Sequence, residues 1–275
     1  MGELLNVVGL GTGIVLYAML LTMVVRSPKA PTVRGSSDRL PLATAILGLA
    51  WNVCALSVYE LQQAGIRDPV PYLSAAGLSA LGFLPAVVVH SVLRSGEDGR
   101  GPVATIKIVL VGVAYAASTF AALLHVAALW KGDPVPASGG MRLLTYVFVV
   151  LVVPVALAAR RQRGDRRAVW IAALAAFAVS AMHLAQLHTG HDPWPVELVG
   201  HHASVPLALA ILYQDYPFAL ADIFLKRALT LTAVVAAAFM GIVTLGLPGR
   251  DAGSVVIAGP RGVGYRRMPS NTLEP

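Results

Sequence analysis

Apolar residues run in eight long blocks instead of alternating with polar ones: Leu4 to Val25, Leu40 to Tyr59, Tyr72 to Leu93, Ile106 to Trp130, Leu143 to Ala159, Ala168 to Leu187, Val196 to Tyr213 and Ala228 to Leu247. Blocks of roughly 20 residues suffice to cross a hydrocarbon core of about 30 Å as helices. A backbone in lipid must satisfy its own hydrogen bonds, which helices do within one segment. The pattern predicts an all-α fold, a polytopic membrane bundle of seven to eight transmembrane helices. The seventh block is the weakest, because polar residues interrupt it at both ends. The first block is too long for a signal peptide and has neither a basic start nor a cleavage site, so it predicts a retained helix. The bundle takes in residues 1–247, and the Gly-, Pro- and Arg-rich residues 248–275 read as an irregular tail. Within that tail, GPRGVG follows no strand and lacks the trailing Lys-Ser/Thr of a phosphate loop, so no function attaches to it.

Charge gives the bundle a direction. Only 13% of the residues are charged and the mean hydropathy is +0.70, against about 25% charged in a soluble domain. Arg160, Arg161, Arg163, Arg166 and Arg167 lie between two apolar blocks, and basic loops stay on the cytoplasmic side during insertion. With that loop inside, 14 of the 21 basic residues fall in inner loops and three, Arg67, Lys131 and Arg142, in outer ones. This predicts an N-terminus outside. The net charge of +7 then reports insertion and gives no reason to expect a nucleic-acid partner.

Small residues recur within two blocks, Ala116, Ala117, Ala121 and Ala122, and Ala172, Ala173, Ala175, Ala176 and Ala178, which predicts close helix packing. Pro85, Pro154 and Pro206 fall inside expected spans, where each removes a helical hydrogen bond and favours a kink. The single cysteine, Cys54, rules out an intramolecular disulfide and reads as a packing residue. Trp130, Trp170 and Trp194 sit at block boundaries, as interfacial anchors do.

Six of the seven histidines gather toward the outer ends: His125, His183, His188, His191, His201 and His202, with only His90 near the inner ends. Ionisable groups near a membrane interior tend to face the bundle or a wet cavity. Imidazoles from three helices could hold a transition metal or ligate a haem iron, and imidazole titrates near neutral pH. The spacing of His183, His188 and His191 does not put all three on one helical face, and no HxxxH pair occurs. The candidate cofactor or metal residues are His125, His183, His188, His201 and His202, with His125 and His183 the bundle-facing pair. A metal or haem site, a proton or polar-ligand site and structural histidines all remain open.

The stretch HHASVPLALAILYQDYPFALADIFLKRALTL, His201 to Leu231, resembles the end of the multi-helix membrane sensor region of certain bacterial sensor histidine kinases. The resemblance is carried by His201-His202, Tyr213-Gln214-Asp215-Tyr216 and Ala221-Asp222-Ile223-Phe224-Leu225-Lys226-Arg227, with HDPWPVELVG before them. It implies a membrane input module of a two-component system, a homodimer and a cytoplasmic kinase or response-regulator partner. Asp215 and Asp222 are seven residues apart, so they share a face if helical, and Lys226 follows Asp222 by four, a helix-supporting pair. With Arg227, these residues form a candidate relay at the inner surface. The phospho-accepting helix and ATP-site motifs of a kinase do not occur, so no catalytic residue is assigned.

Three functions follow in order: a sensory input module with a ligand or cofactor site near the outer face; a haem- or metal-binding membrane protein; and a small transporter. The last would show internal repeats and midplane charges, and the blocks show no convincing repeat. A retinal protein fails because Lys226 lies at an inner boundary.

Overall fold

The computed structural model describes residues 2–26, 39–94, 102–159, 164–186 and 204–215. They form seven helices and, among the described residues, no strand: α1 (Gly2–Arg26), α2 (Arg39–Gln63), α3 (Val70–Arg94), α4 (Pro102–Lys131), α5 (Ser138–Ala158), α6 (Gly164–Gln186) and α7 (Ser204–Asp215). The first five are long and apolar enough to cross a membrane. In α6 the described side chains over Arg167–Met182 are also those of an apolar helix. Where a span was expected over 196–213, the described helix is the 12-residue α7. Residues 196–203, the eighth block and the tail lie outside the described residues, as do Arg160, Arg161 and Arg163 of the basic loop.

A multi-pass bundle is also what the surface requires. Ile108, Phe120 and Leu123 on α4, and Tyr146, Val150 and Val153 on α5, are more than half exposed. Such apolar faces are tolerable against lipid tails and would drive aggregation in water. α3 is the central post: 78% of its membrane-crossing window is buried, against 22% for α4. It packs on α2, α4, α5, α6 and α7.

Small residues set the helix approaches. A Cβ on Gly13 would strike the Asn52 amide, and one on Gly48 would strike the Tyr17 ring. These two contacts run in opposite chain directions, so α1 and α2 are antiparallel. Gly77 admits Cys54 and Trp51 of α2, where a Cβ would lie 2.9 Å from the Cys54 Cβ. Cys54 is half-buried in that contact, as a packing residue should be. Of the alanines singled out, Ala117, Ala121, Ala173 and Ala178 are buried between helices.

Pro85 and Pro154 lie inside α3 and α5. The Ser118 hydroxyl donates to the Gly82 carbonyl at 2.8 Å, one residue past the Leu81 carbonyl that Pro85 leaves without its helical donor. Pro206 differs from the expectation. It is the third residue of α7, in the first turn, where a missing N–H breaks no helical bond.

Two turns close the bundle at one end, and both stop a helix in the same way. Gly65 has φ +76° and Gly132 φ +71°. Ile66 N–H donates to Leu61 and Gly65 N–H to Gln62; Asp133 N–H donates to Ala128 and Gly132 N–H to Leu129. This paired arrangement with a left-handed glycine satisfies the last carbonyls of α2 and α4. Asp-Pro follows each glycine, and an X-Pro step holds the chain extended until the next helix begins.

Candidate functional site at the histidine end

The end with those two turns also receives the C-terminal end of α6. His125 lies on the penultimate turn of α4 and position 183 on the last turn of α6, so the expected pair belongs to one end of the bundle. His188, His191, His201 and His202 lie outside the described residues. His90 sits near the C-terminus of α3 at the opposite end, edge-on to Tyr115 with ring centroids 5.9 Å apart and Nδ1 3.3 Å from the Tyr115 hydroxyl.

His125 is completely buried. Its Nδ1 accepts the Ala137 N–H at 3.2 Å. Ala137 is the N-cap of α5, and it supplies no side-chain cap. Alanine is among the poorest residues at that position. The imidazole therefore serves as the glutamate of a capping box does, taking the N–H of the cap residue from a neighbouring helix. Gly140 makes the room: a Cβ there would come within 3.2 Å of the His125 Cε1 and of the Ala121 carbonyl.

This hydrogen bond fixes the chemistry of the ring. With Nδ1 occupied as an acceptor, the proton of the neutral ring sits on Nε2. That N–H is buried and finds no acceptor. To ligate a metal through Nε2, His125 would have to shift its proton and give up Ala137. Among the described residues no three His, Cys, Asp or Glu side chains converge as a metal site. His125→Ala is expected to lower the stability of the detergent-purified protein by about 1 kcal/mol, the net worth of one hydrogen bond. Faster hydrogen exchange at the Ala137 amide would accompany it. Unchanged exchange there would show that the imidazole does not hold the loop.

Beside this loop lies a cavity of about 330 Å³. Leu10 of α1, Trp51 to Gln62 of α2, Leu73 to Leu78 of α3, Val135 and Pro136 of the α4–α5 connector and Leu184 of α6 contribute to its wall. The connector is thus held by His125 on one side and presents Pro136 to the cavity on the other.

Sequence reasoning passed over a signal for these connectors. Asp68-Pro69-Val70-Pro71, Asp133-Pro134-Val135-Pro136 and Asp192-Pro193-Trp194-Pro195 repeat one motif at intervals of 65 and 59 residues. Each follows a glycine by one to three residues, Gly65, Gly132 and Gly190. Among the described residues this Gly…Asp-Pro-x-Pro motif joins α2 to α3 and α4 to α5. The first two connectors are the turns at the histidine end, and the third lies outside the described residues.

A second polar group occupies the α1–α2–α7 seam. The Tyr17 hydroxyl donates to the Ser204 carbonyl at the first residue of α7. Asn52 Nδ2 donates to the Gly48 carbonyl at 2.7 Å, while Asn52 Oδ1 and Ser204 Oγ are buried without partners. One turn on from Ser204, Ala208 packs in a cluster with Leu16, Tyr17, Leu20 and Ala45, and Asp215 is the last residue of α7. Asp222, Lys226 and Arg227 lie outside the described residues. Comparison of the chain with protein-family models, curated proteins and solved structures finds no match.

Proposed function

We propose that this chain is the input module of a bacterial inner-membrane signalling protein, with its N-terminus outside, seven or eight spans and a small-ligand site at the histidine end. The observation that carries the reading is the cavity walled by the Val135–Pro136 connector, which His125 ties to α4. The likeness of residues 201–227 to the end of a kinase sensor region supports the same reading. A ligand acts by binding one packing of the helices better than another, and the difference in affinity sets the shift. A homodimer and a kinase or response-regulator partner belong to this proposal.

The test is a distance measurement between spin labels on Val25→Cys and Ile106→Cys, both exposed at the arginine-bearing end, in a Cys54→Ser background. Two distance populations are expected, with a ratio that a small amphiphile changes. A single distance unaltered in every condition would sink the proposal.

A transporter is the second reading, and the recurring connectors favour it, because transporter folds are often built from repeats. It predicts solute uptake by proteoliposomes, which an input module would not show.

A further inference from the structure

We infer that the cavity at the histidine end binds a small neutral ring compound drawn from the bilayer, one whose oxygen accepts a hydrogen bond. This deepens the proposed function and rests on it only for the consequence of binding. The volume, about 330 Å³, lies at the lower end of the range for small-molecule sites, about 300–1,000 Å³. No charged residue is among its lining residues. A charged ligand would lose its hydration there without a counter-ion, which excludes ionic solutes.

The wall is graded along the bundle axis. Trp51, near the middle of α2, with Leu10 and Leu78 makes the deep part apolar and flat-sided, while Leu184 on the last turn of α6 lies at the outer level. Gln62 and Ser74 lie toward the helix ends and offer N–H and O–H donors, beside Tyr59, whose hydroxyl accepts from Gln63 Nε2 at 2.7 Å. From Trp51 to Gln62 a helix rises about 16 Å, enough for a ring to sit deep while its oxygen meets the donors. Aromatic walls favour flat partners through stacked or edge-on contact. The frame is firm on two sides. Gly77 lets α3 close against Cys54 and Trp51 beneath the cavity, and His125 fixes the Ala137 amide next to Pro136. A neutral molecule of this kind concentrates in lipid, next to the site.

Benzophenone is a probe of matching chemistry: two apolar rings, one carbonyl acceptor and photoinsertion into nearby C–H bonds. With the protein in phosphatidylcholine nanodiscs, irradiation is expected to give saturable adducts within residues 51–62 and 73–78. Ser74→Phe, which grows a ring into the cavity, should abolish them. Gln62→Leu, which removes a donor from an exposed position at the rim, should raise the half-saturating concentration about five-fold, the worth of one hydrogen bond. Unsaturable labelling spread over lipid-facing positions such as Val109 and Leu123 would overturn the inference. So would saturable labelling that neither variant alters. If Ser74→Phe fails to fold, Gln62→Leu alone decides. Specific labelling together with one unaltered spin-label distance would leave the cavity standing and remove the signalling role. Two distance populations without specific labelling would do the reverse.

Discussion

Gly48→Leu is expected to force α1 away from α2 and to release α7 with it. At this position a Cβ already collides with the Tyr17 ring, and three further carbons would have to enter the same space. Tyr17 has no easy retreat, because it is 1% exposed and its hydroxyl holds the Ser204 carbonyl. Overpacking of a closed core commonly costs about 1–3 kcal/mol, and the upper end applies where the obstacle is a pinned aromatic ring. Loss of the Tyr17 hydrogen bond adds about 0.6 kcal/mol, the average for such bonds between membrane helices. Thermal unfolding in detergent should report a clear drop, with faster hydrogen exchange along α7. Gly11→Leu is the control, since a Cβ there meets nothing within 4 Å. Equal stability of the two variants would show that the seam is not closed as described.

Phe148→Ala should loosen α5 from α6. Phe148 and Phe177 are both fully buried and meet edge to face, with centroids 5.7 Å apart and planes at 87°. Truncation of a buried phenylalanine costs about 3–5 kcal/mol in water-soluble cores. The lower figure, about 3 kcal/mol, is expected here, because in lipid the separated helices keep their contacts with the tails and lose only packing against each other. Val150→Ala, on the exposed side of the same helix, should leave the unfolding midpoint nearly unchanged. A Phe148→Ala midpoint no lower than that of Val150→Ala would refute the assignment of this pair to the core.

The helices were legible because a 20-residue apolar block admits few structures in lipid. Their first six positions follow the blocks closely, with α1 to α4 extending each block by a few residues into its polar flanks. α6, at Gly164–Gln186, likewise follows its block, and in the seventh block the described helix is Ser204–Asp215. The candidate site was legible only in part. Clustering of histidines toward one end was visible in the order of the blocks, and His125 proves buried there. Its task was not visible, because the N–H it accepts belongs to Ala137, a residue with no functional side chain. The Asp-Pro-x-Pro connectors were in plain sight, yet they lie in the polar intervals that a search for apolar blocks discards. Cavity residues such as Gln62 and Ser74 carry no motif; antiparallel packing of α2 on α3 brings them to one wall.

The length of α4 has a consequence for the membrane itself. Between Lys107 and Lys131, α4 offers lipid an apolar wall of 23 residues, which is about 35 Å tall. That exceeds a hydrocarbon core of about 30 Å. Either the bilayer thickens beside α4 or the helix tilts, at a fraction of a kcal/mol per Å of mismatch. The thickness of the host membrane thus becomes one of the forces acting on how the helices stand.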